Sequence, residues 1–328
     1  MTIAKKIKSV VVIGGGTGTF MVLSALRDYN LSLTAIVSMA DDGGSTGVLR
    51  DQYGVLPPGD VRRALVALSQ ESKTLRELFN YRFGVGDLEG HSFGNIFLSA
   101  LEKLTGDFAS AVNEASKVLN IRGRVLPVTL NNIRLNARLM DGKILKGETN
   151  IDIPREGVFR AGRERAKIDK VWLSPQAKIN QEARRAILSA DLIIIGPGDL
   201  YTSLIPNLLV SGVSETIKKS KAKKVYVCNL MTKYGETHGF RAEDFVKEIE
   251  KYLGKNVLNF AIFNSKKPAA GILRKYKKEK AEFVDLPLYQ HSVLVKGAPK
   301  YILANLLAPG PFIRHDHKKL AKVLTRLL

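Results

Sequence analysis

Short apolar runs and stretches of helical periodicity alternate along most of the chain. Residues 10–13 and 33–37 are rich in β-branched side chains and contain no breakers, which predicts two buried strands. Between them, residues 20–26 begin a helix, because apolar side chains recur there at helical spacing. The same alternation returns after residue 187. We therefore expect a Rossmann-like α/β fold with a doubly wound parallel sheet, and further strands at 192–195, 224–228 and 257–263 with helices at 205–216 and 242–253.

Helical patterns also fill the segment after the second predicted strand. Turn-forming residues dominate from Asp41 to Asp60, so a loop is expected there. Asp60 then stands where an N-cap would begin a helix over residues 61–68. Further helices are predicted near 75–83, 93–104 and 108–119, and at the C-terminus after the N-cap residue Asp316.

The pattern changes between residues 121 and 172. Apolar and polar side chains alternate from Ile133 to Met140, which is the period of a half-exposed strand. Asp141-Gly142 follows, a dipeptide favoured in tight hairpin turns, and residues 143–145 lead back. The sequence thus predicts one α/β domain over residues 1–328, with a β-rich excursion at about 121–172.

The composition is that of an ordinary globular protein. Hydrophobic residues make up 45% and charged residues 25% of the 328 positions, which argues against general disorder. The single cysteine, Cys228, permits no internal disulfide and fits a reducing cytoplasm. No apolar run approaches the roughly 18 residues of a membrane span. A cytoplasmic protein with no membrane span is expected.

The net charge of +20 is the unusual feature of the composition. Basic side chains are densest at residues 266–280, where seven of them accompany a single acid, Glu279. Such a surface attracts nucleic acids, membrane phosphates and phosphorylated metabolites alike, and it also serves solubility alone. Because the chain has no motif of the common DNA- or RNA-binding modules, nucleic acid is the least favoured partner.

Glycines crowd the turn between the first strand and the first helix, at residues 14–18. Glycine permits positive φ angles and lets backbone N–H groups approach a phosphate at a helix N-terminus. The dinucleotide fingerprint is incomplete, because Thr19 stands where a third glycine is expected, and no Walker lysine follows. The alternative is a tight turn without a ligand. The predicted phosphate contacts are Gly15, Gly16, Thr17 and Gly18.

A second polar loop follows the second predicted strand. Asp41 and Asp42 are adjacent carboxylates in a glycine-rich segment that continues through Gly43 and Ser45. They could hold Mg²⁺, accept hydrogen bonds from a ribose or act as a general base, and an ordinary polar turn is the alternative. Their position beside the glycine turn favours a ligand, since open α/β sheets bind ligands at the carboxyl ends of their strands.

Two predicted helix starts contribute further polar groups. Arg62 lies with Arg63 in the first turn of a helix, where positive charge opposes the helix dipole. An anion facing the arginines would explain this placement, and so would a surface salt bridge. Asn95 follows His91 and Ser92, and together they offer an amide, an imidazole and a hydroxyl, although Ser92 also fits a simple N-cap.

Two later predicted strands also end in loops rich in glycine and polar side chains. The first loop contains Gly196, Gly198 and Thr202, and the second contains Asn229 and Thr232. One such loop is weak evidence for a site. Four of them at the same edge of a sheet predict a cleft for a phosphate-bearing ligand.

Assembled, these segments resemble the gluconeogenesis factor family (YvcK type), which is related to the 2-phospho-L-lactate transferases (CofD). The resemblance is carried by GGGTGTF from Gly14, ADDGGSTG from Ala40, VLPPGDVRRALVALS from Val55, GHSFGN from Gly90, GPGDLYTSLIPNLL from Gly196 and CNLMTKYGETHGF from Cys228. It implies binding of a UDP-sugar, notably UDP-N-acetylglucosamine, with roles in gluconeogenic growth and cell-wall shape and no established reaction. Two positions depart from the family pattern: Asp199 stands where serine is usual, and Lys233 where glutamine is usual.

The basic C-terminal third contains two further candidate ligand contacts. Tyr276 lies among lysines and an arginine, where its ring can stack on a uracil or simply cover the core. Arg314 follows a Pro-Gly-Pro turn, and its planar fork suits a pyrophosphate. The family resemblance points to the same two residues. The adjoining His315-Asp316-His317 is not taken as a metal site, since Asp316 fits an N-cap and the other histidines lack ligand spacing.

The expected function is that of a regulatory protein that binds a UDP-sugar and supports gluconeogenic growth and cell-wall morphogenesis. The alternative is a CofD-like phosphotransferase that moves a phospholactyl-type group from a nucleotide donor, with Asp41 and Asp42 binding Mg²⁺. Outside that alternative, no catalytic residue and no metal ligand is assigned. Association into a homo-oligomer is compatible with the sequence.

Overall fold

The computed structural model describes residues 7–152, 165–285 and 297–328. Its strands are β1 (Lys8–Gly14), β2 (Leu31–Val37), β3 (Arg124–Pro127), β4 (Arg134–Leu139), β5 (Ile144–Lys146), β6 (Ile168–Ser174), β7 (Leu192–Ile195), β8 (Lys223–Val227), β9 (Phe260–Asn264) and β10 (Lys300–Ala304). Its helices are α1 (Gly16–Leu26), α2 (Gly44–Tyr53), α3 (Gly59–Leu68), α4 (Lys73–Asn80), α5 (Phe93–Thr105), α6 (Phe108–Val118), α7 (Glu148–Asp152), α8 (Gln181–Ser189), α9 (Ile205–Leu208), α10 (Val213–Lys219), α11 (Ala242–Leu253), α12 (Ala270–Lys278) and α13 (His317–Thr325), with a π-helical segment at Leu200–Leu204.

Seven strands form one parallel sheet in the order β10-β9-β8-β7-β1-β2-β3. The chain starts in the middle at β1, moves outward through β2 and β3, and returns to β7 on the other side of β1. The winding direction therefore reverses between β1 and β7, and at such a switch point the loops diverge and leave a crevice. The expected Rossmann-like α/β class is confirmed.

The centre of this sheet explains the uninterrupted apolar runs of the sequence. Residues 10–13 of β1 and 192–195 of β7 are fully buried. Both faces of these strands are covered, so no position has to be polar. α1 packs beside β1 against α3 and α13, which fixes the glycine turn that joins β1 to α1.

β5, β4 and β6 form a separate antiparallel sheet. Ala137 pairs with Leu145 across the predicted hairpin, and β6 pairs along the other side of β4. The predicted excursion also included β3, which instead joins the main sheet beside β2. Residues 153–164 of the excursion lie outside the described residues. α7 follows β5 and brings polar side chains to the carboxyl edge of the main sheet.

The prediction of a loop from Asp41 to Asp60 is wrong, because this segment contains α2. Two glycines within α2 lower its helix propensity, so the sequence pattern does not indicate a helix there. Packing stabilises it instead: the buried Arg50 donates from Nη1 to the carbonyl of Asp41 (2.8 Å) and from Nη2 to that of Ile133 (2.7 Å). The low helix propensity of α2 is therefore outweighed by its tertiary contacts.

Two helix boundaries also differ from the expectation. Asp60 lies inside the first turn of α3, whose N-cap is Pro58, so its carboxylate is available for another partner. The helix expected at 205–216 is divided into α9 and α10, and Gly212 adopts a left-handed φ of +94° between them. The N-cap at Asp316 is confirmed, since its side chain accepts the Lys319 backbone N–H at 3.0 Å.

In the three described ranges, no helix is long and apolar enough to cross a membrane.

Candidate functional site

Two adjoining cavities open at the carboxyl edge of the main sheet, beside the crevice between β1 and β7. The larger has a volume of about 950 Å³ and the smaller about 340 Å³. Apolar side chains contribute to the larger one, whereas the smaller is lined mainly by glycines and charged or hydroxyl side chains. The residues that line both are Gly16, Thr17, Asp152, Asp199 and Ser203.

The glycine turn forms the boundary between the two cavities. Gly16 has a φ of +64°, which strains any residue with a side chain. A Cβ at Gly18 would clash with the carbonyl oxygen of Pro197, and one at Gly15 with the carboxylate of Asp60. Loop packing therefore requires these glycines independently of any ligand. Thr17 is exposed at the open side of the turn, where the first N–H groups of α1 have no intrahelical acceptor.

The two adjacent aspartates have different surroundings. Asp41 lines the smaller cavity, and its Oδ1 accepts the backbone N–H of Gly43 (2.9 Å). The carboxylate of Asp42 accepts the backbone N–H groups of Glu148 (3.1 Å) and Thr149 (2.9 Å) and the Thr149 hydroxyl. Asp42 thus anchors the start of α7 and lines neither cavity. Of the two carboxylates, Asp41 is the one that lines a cavity, and a Mg²⁺ site that uses both of them stays a prediction.

Acidic side chains from three segments converge on the smaller cavity. Asp60 accepts the Gly16 N–H at 2.8 Å. Burial, and after it the negative charge of Asp41, raises the pKa of Asp60 to about 6. The same two causes, in the same order, raise the pKa of Glu148 to about 9. At neutral pH the Glu148 carboxyl is therefore protonated and can donate a hydrogen bond as well as accept one.

The two arginines at the start of α3 have different surroundings. Arg62 is buried and donates to Asn95 (2.9 Å), to the Phe79 carbonyl (3.3 Å) and to Asn80. Burial and the nearby charge of Arg63 lower the pKa of Arg62 to about 10. Arg63 keeps 39% of its side chain exposed beside Asp60 and lines the smaller cavity. Of the two, Arg63 has the freer guanidinium for an anion.

Behind the smaller cavity lies a network of hydrogen-bonded polar groups. The Ser45 hydroxyl contacts His91 Nδ1 and Asn95 Nδ2, each at 3.3 Å, and accepts the Ser92 N–H at the same distance. Asn95 in turn accepts from Arg62. Gly43 lies beside Asp41, as the N-cap of α2. Ser45, Asn95 and Arg62 line the cavity, and their mutual bonds fix its shape.

Hydrogen bonds join the loops after β7 and β8 beside the larger cavity. Gly198 donates its N–H to the Asn229 side chain at 3.2 Å. The Thr202 hydroxyl lies 3.3 Å from Oε1 of Glu236, which is buried. Thr232 is tied to the segment after α12, because its hydroxyl accepts the Glu282 N–H at 2.8 Å. Gly196 is buried under these loops and lines neither cavity.

The C-terminal candidates form one wall of the larger cavity. The Tyr276 hydroxyl accepts the backbone N–H of Ile313 at 2.9 Å, so α12 is joined to the segment before α13. Arg314 is exposed, and its guanidinium lies 5.3 Å from the centre of the Phe312 ring. Both residues line the larger cavity. Distant in sequence, they meet the loops of the central strands here.

The predicted site residues therefore lie on the two cavities with two exceptions, Asp42 and Gly196. The larger cavity is lined by Gly15, Gly16, Thr17, Gly18, Gly198, Asn229, Thr232, Tyr276 and Arg314. The smaller is lined by Asp41, Gly43, Ser45, Arg62, Asn95 and Thr202. Asp60, Arg63, Glu148 and Ser203 also line the cavities; of these, the sequence analysis raised only Arg63 as a possible contact to an anion, together with Arg62, and Asp60 only as an N-cap. The signal for Asp60 and Arg63 was present in the PPGDVRR segment, whereas Glu148 follows a hairpin that carries no motif.

Comparison with known proteins places the chain in a family. The profile described as "2-phospho-L-lactate transferase CofD" matches residues 10–298. A putative gluconeogenesis factor from a Nostoc species is 47% identical to this chain, covering 97% of it and 68% of the relative. The chain belongs to the gluconeogenesis factor family. A putative member from Thermotoga maritima is 44% identical, with 97% of this chain and 98% of the relative covered.

The family resemblance extends to three-dimensional structure. A crystal structure of a protein member of the UPF0052 family from Bacillus halodurans matches with a TM-score of 0.90 at 41% identity. The match covers 98% of this chain and 100% of that one. The shared fold therefore extends over nearly the whole chain.

The two departures from the family pattern lie in one ion cluster. Nζ of Lys233 is 2.8 Å from Asp199 and 3.2 Å from the buried Glu236, and it also contacts Asp152. Burial opposes the charge on Lys233, but the three carboxylates hold its pKa above the ordinary value. Asp152, Asp199 and Glu236 lie close enough to ligate a metal ion together. The lysine supplies the positive charge among them.

Proposed function

We propose that this protein binds a nucleotide-sugar, with UDP-N-acetylglucosamine as the first candidate, and acts as a cytoplasmic regulatory protein. Membership of the gluconeogenesis factor family supports a role in growth on gluconeogenic carbon sources. The same proposal includes a contribution to cell shape through the supply of cell-wall precursors, for which UDP-N-acetylglucosamine is the reporting ligand. Nucleic acid remains the least favoured partner, and a homo-oligomer remains a prediction.

The observation that carries the proposal is the pairing of two unlike cavities across one glycine turn. A nucleotide-sugar has a flat base and a hydroxyl-rich sugar on opposite sides of a pyrophosphate. The larger cavity offers apolar and aromatic lining with Arg314, which suits a nucleoside and its phosphates. The smaller offers Asp41, Ser45 and the protonated Glu148, which suit sugar hydroxyls. The glycine turn then meets the pyrophosphate.

Replacement of Arg314 by alanine tests the proposal. The loss of one charge-assisted contact to phosphate should cost about 1.5–3 kcal/mol, or roughly ten- to hundredfold in affinity. Titration calorimetry with UDP-N-acetylglucosamine measures the change, and Tyr276→Ala in parallel reports on base stacking. Arg274→Ala is the matched control, since Arg274 is an exposed arginine on α12 that lines neither cavity. Wild-type affinity in folded Arg314→Ala and Tyr276→Ala would remove this wall from the site.

The competing function is a CofD-like phosphotransferase, which the family profile keeps open. Oxygen ligands for Mg²⁺ would come from the smaller cavity, where Asp41 lies. Incubation with UDP-N-acetylglucosamine and Mg²⁺, followed by chromatography, separates the two functions. We expect the nucleotide-sugar to remain intact while it binds saturably. Turnover that disappears in Asp41→Asn but persists in Asp42→Asn would establish an enzyme instead.

A further inference from the structure

Three arginines gather at the smaller cavity. Arg62, Arg63 and Arg82 all line it. Burial lowers the pKa of Arg62 to about 10, and the positive charges of Arg63 and Arg82 contribute to the shift, so both lie close to the Arg62 guanidinium. Like charges gathered in this way repel one another. An anion bound among them would relieve that repulsion.

Arg82 is the arginine of the three whose charge is least engaged by the protein. Arg62 is enclosed by hydrogen bonds, and Arg63 lies 3.5 Å from Asp60. The Arg82 side chain is exposed, and its Nη1 donates to the carbonyl of Gly90. Within the described ranges no carboxylate forms an ion pair with this guanidinium, and its Nε and Nη2 have no hydrogen-bond acceptor. These donors are accessible to a ligand in the cavity.

The backbone on either side of Arg82 is fixed to the cavity wall. Tyr81 accepts the Phe93 N–H at 2.9 Å, and Arg82 itself forms an antiparallel bridge with Ser92. Ser92 in turn donates its N–H to the hydroxyl of Ser45 at 3.3 Å, and Ser45 lines the cavity. Arg82 is therefore placed at the cavity by the fold.

Acidic and basic groups occupy different parts of the smaller cavity. Burial raises the pKa of Glu148 to about 9, and the neighbouring charges that add to this shift are carboxylates. At Arg62 the two strongest neighbouring charges are those of the other arginines. Asp60 contributes to both shifts and pairs with Arg63, so the two parts meet there. The cavity thus has an acidic part beside Glu148 and a basic part beside Arg82.

The basic part adjoins the glycine turn. A Cβ at Gly16 would lie 3.9 Å from Nη1 of Arg63, so a phosphate bound at the turn has this guanidinium as its neighbour. In a nucleotide-sugar, the sugar follows the pyrophosphate. An anionic group that enters the smaller cavity beyond the turn and reaches Arg82 therefore belongs to the sugar.

We propose that Arg82, with Arg63 beside it, binds a carboxylate carried by the sugar of the nucleotide-sugar. The planar fork of a guanidinium donates two parallel hydrogen bonds to a carboxylate, while the acidic part of the cavity is left to the sugar hydroxyls. This inference rests on the proposed function and adds to it the class of sugar. A sugar that bears a carboxylate binds more tightly than its neutral counterpart.

The experiment compares the affinities of UDP-glucuronate, UDP-glucose and UDP by titration calorimetry. The two nucleotide-sugars differ only at C6, which is a carboxylate in the first and a hydroxymethyl group in the second. We expect the wild-type protein to bind UDP-glucuronate about tenfold more tightly than UDP-glucose. Arg82→Gln should reduce this preference to less than threefold and leave the affinity for UDP unchanged. Arg82→Lys keeps the charge without the fork and should retain part of the preference.

Arg184→Gln is the matched control, because Arg184 is an exposed arginine on α8 that lines neither cavity. It should keep the full preference for UDP-glucuronate. Equal weakening of UDP and both nucleotide-sugars in Arg82→Gln would assign Arg82 to the pyrophosphate and overturn the carboxylate subsite.

The failures of the two proposals give different results. Equal affinities of the wild-type protein for UDP-glucuronate and UDP-glucose would overturn the carboxylate subsite, while saturable binding of UDP-N-acetylglucosamine would leave the proposed function intact. Absence of binding by every uridine nucleotide would overturn both. The wild-type comparison decides the question even if Arg82→Gln does not fold.

Discussion

Lys233→Gln should lower the free energy of unfolding by about 2 kcal/mol, because it removes the cation that pairs with the fully buried Glu236 and with the partly exposed Asp152 and Asp199. Three carboxylates would remain around the vacated position, and the side chain of Glu236 among them is fully buried. Urea denaturation at pH 8 measures the loss. Lys255→Gln is the matched control, since Lys255 is an exposed lysine beyond the end of α11.

A second variant tests whether Asp199 and Lys233, the two positions that depart from the family pattern, act as a pair. Asp199→Ser removes one negative charge from the cluster, so the double variant Asp199→Ser/Lys233→Gln should be less destabilised than Lys233→Gln alone. Neighbouring groups in one network show such coupling at about 0.5–3 kcal/mol. Strict additivity of the two substitutions would show that Asp199 and Lys233 do not act as a pair.

Glu148→Gln should remove a large part of the pH dependence of stability between pH 6.5 and 9. The folded pKa of Glu148, about 9, lies above its ordinary value of 4.5. Over that interval the unfolded protein ionises this group while the folded protein keeps it protonated, so stability falls as pH rises. Each pH unit costs roughly 1.4 kcal/mol for one such group, or about 3 kcal/mol over the interval. Below pH 4.5 both states are protonated, and the effect vanishes.

The measurement is a series of urea titrations at several pH values. Glu148→Gln should be the more stable protein at pH 9 and should approach the wild type near pH 5. Glu236, whose pKa burial raises to about 8 against the opposing charge of Lys233, contributes a slope of the same sign, so the variant retains part of the dependence. Glu89→Gln is the control, since Glu89 is exposed and lines neither cavity. Parallel curves for Glu148→Gln and wild type would contradict the assignment.

The sheet could be predicted from sequence because its central strands are buried on both faces. The apolar runs at 10–13 and 192–195 need no knowledge of the rest of the fold to be recognised. β10 and α12 could not be recognised in this way. β10 is only half-buried, and α12 has no buried residue, so neither has the apolar signal on which the prediction depends. α2 was missed for a different reason, since its stability comes from the distant contact of Arg50 with Ile133.

The site could be predicted most directly where chemistry and loop position coincide in the sequence. The glycine turn and Asp41 follow predicted strands directly, and both reach the cavities. Asp42 has the same local signal, yet its carboxylate anchors α7, a helix more than 100 positions along the chain. Glu148 has no local signal and enters the smaller cavity through that same contact. The local spacing of residues in the sequence does not reveal a contact between positions so far apart.

The anchoring of α7 by Asp42 makes the smaller cavity a composite of two parts that can be exchanged separately. One side comes from the central sheet, while Glu148, Thr149 and Asp152 come from the helix carried by the three-stranded sheet. If the protein binds a nucleotide-sugar as proposed, substitutions in residues 144–151 would change which group is accepted beside the glycine turn. Asp152 would have to be kept, because it lines both cavities and pairs with Lys233. For a protein engineer, residues 144–151 are the segment in which to diversify specificity, provided that the contact of Thr149 with Asp42 is kept.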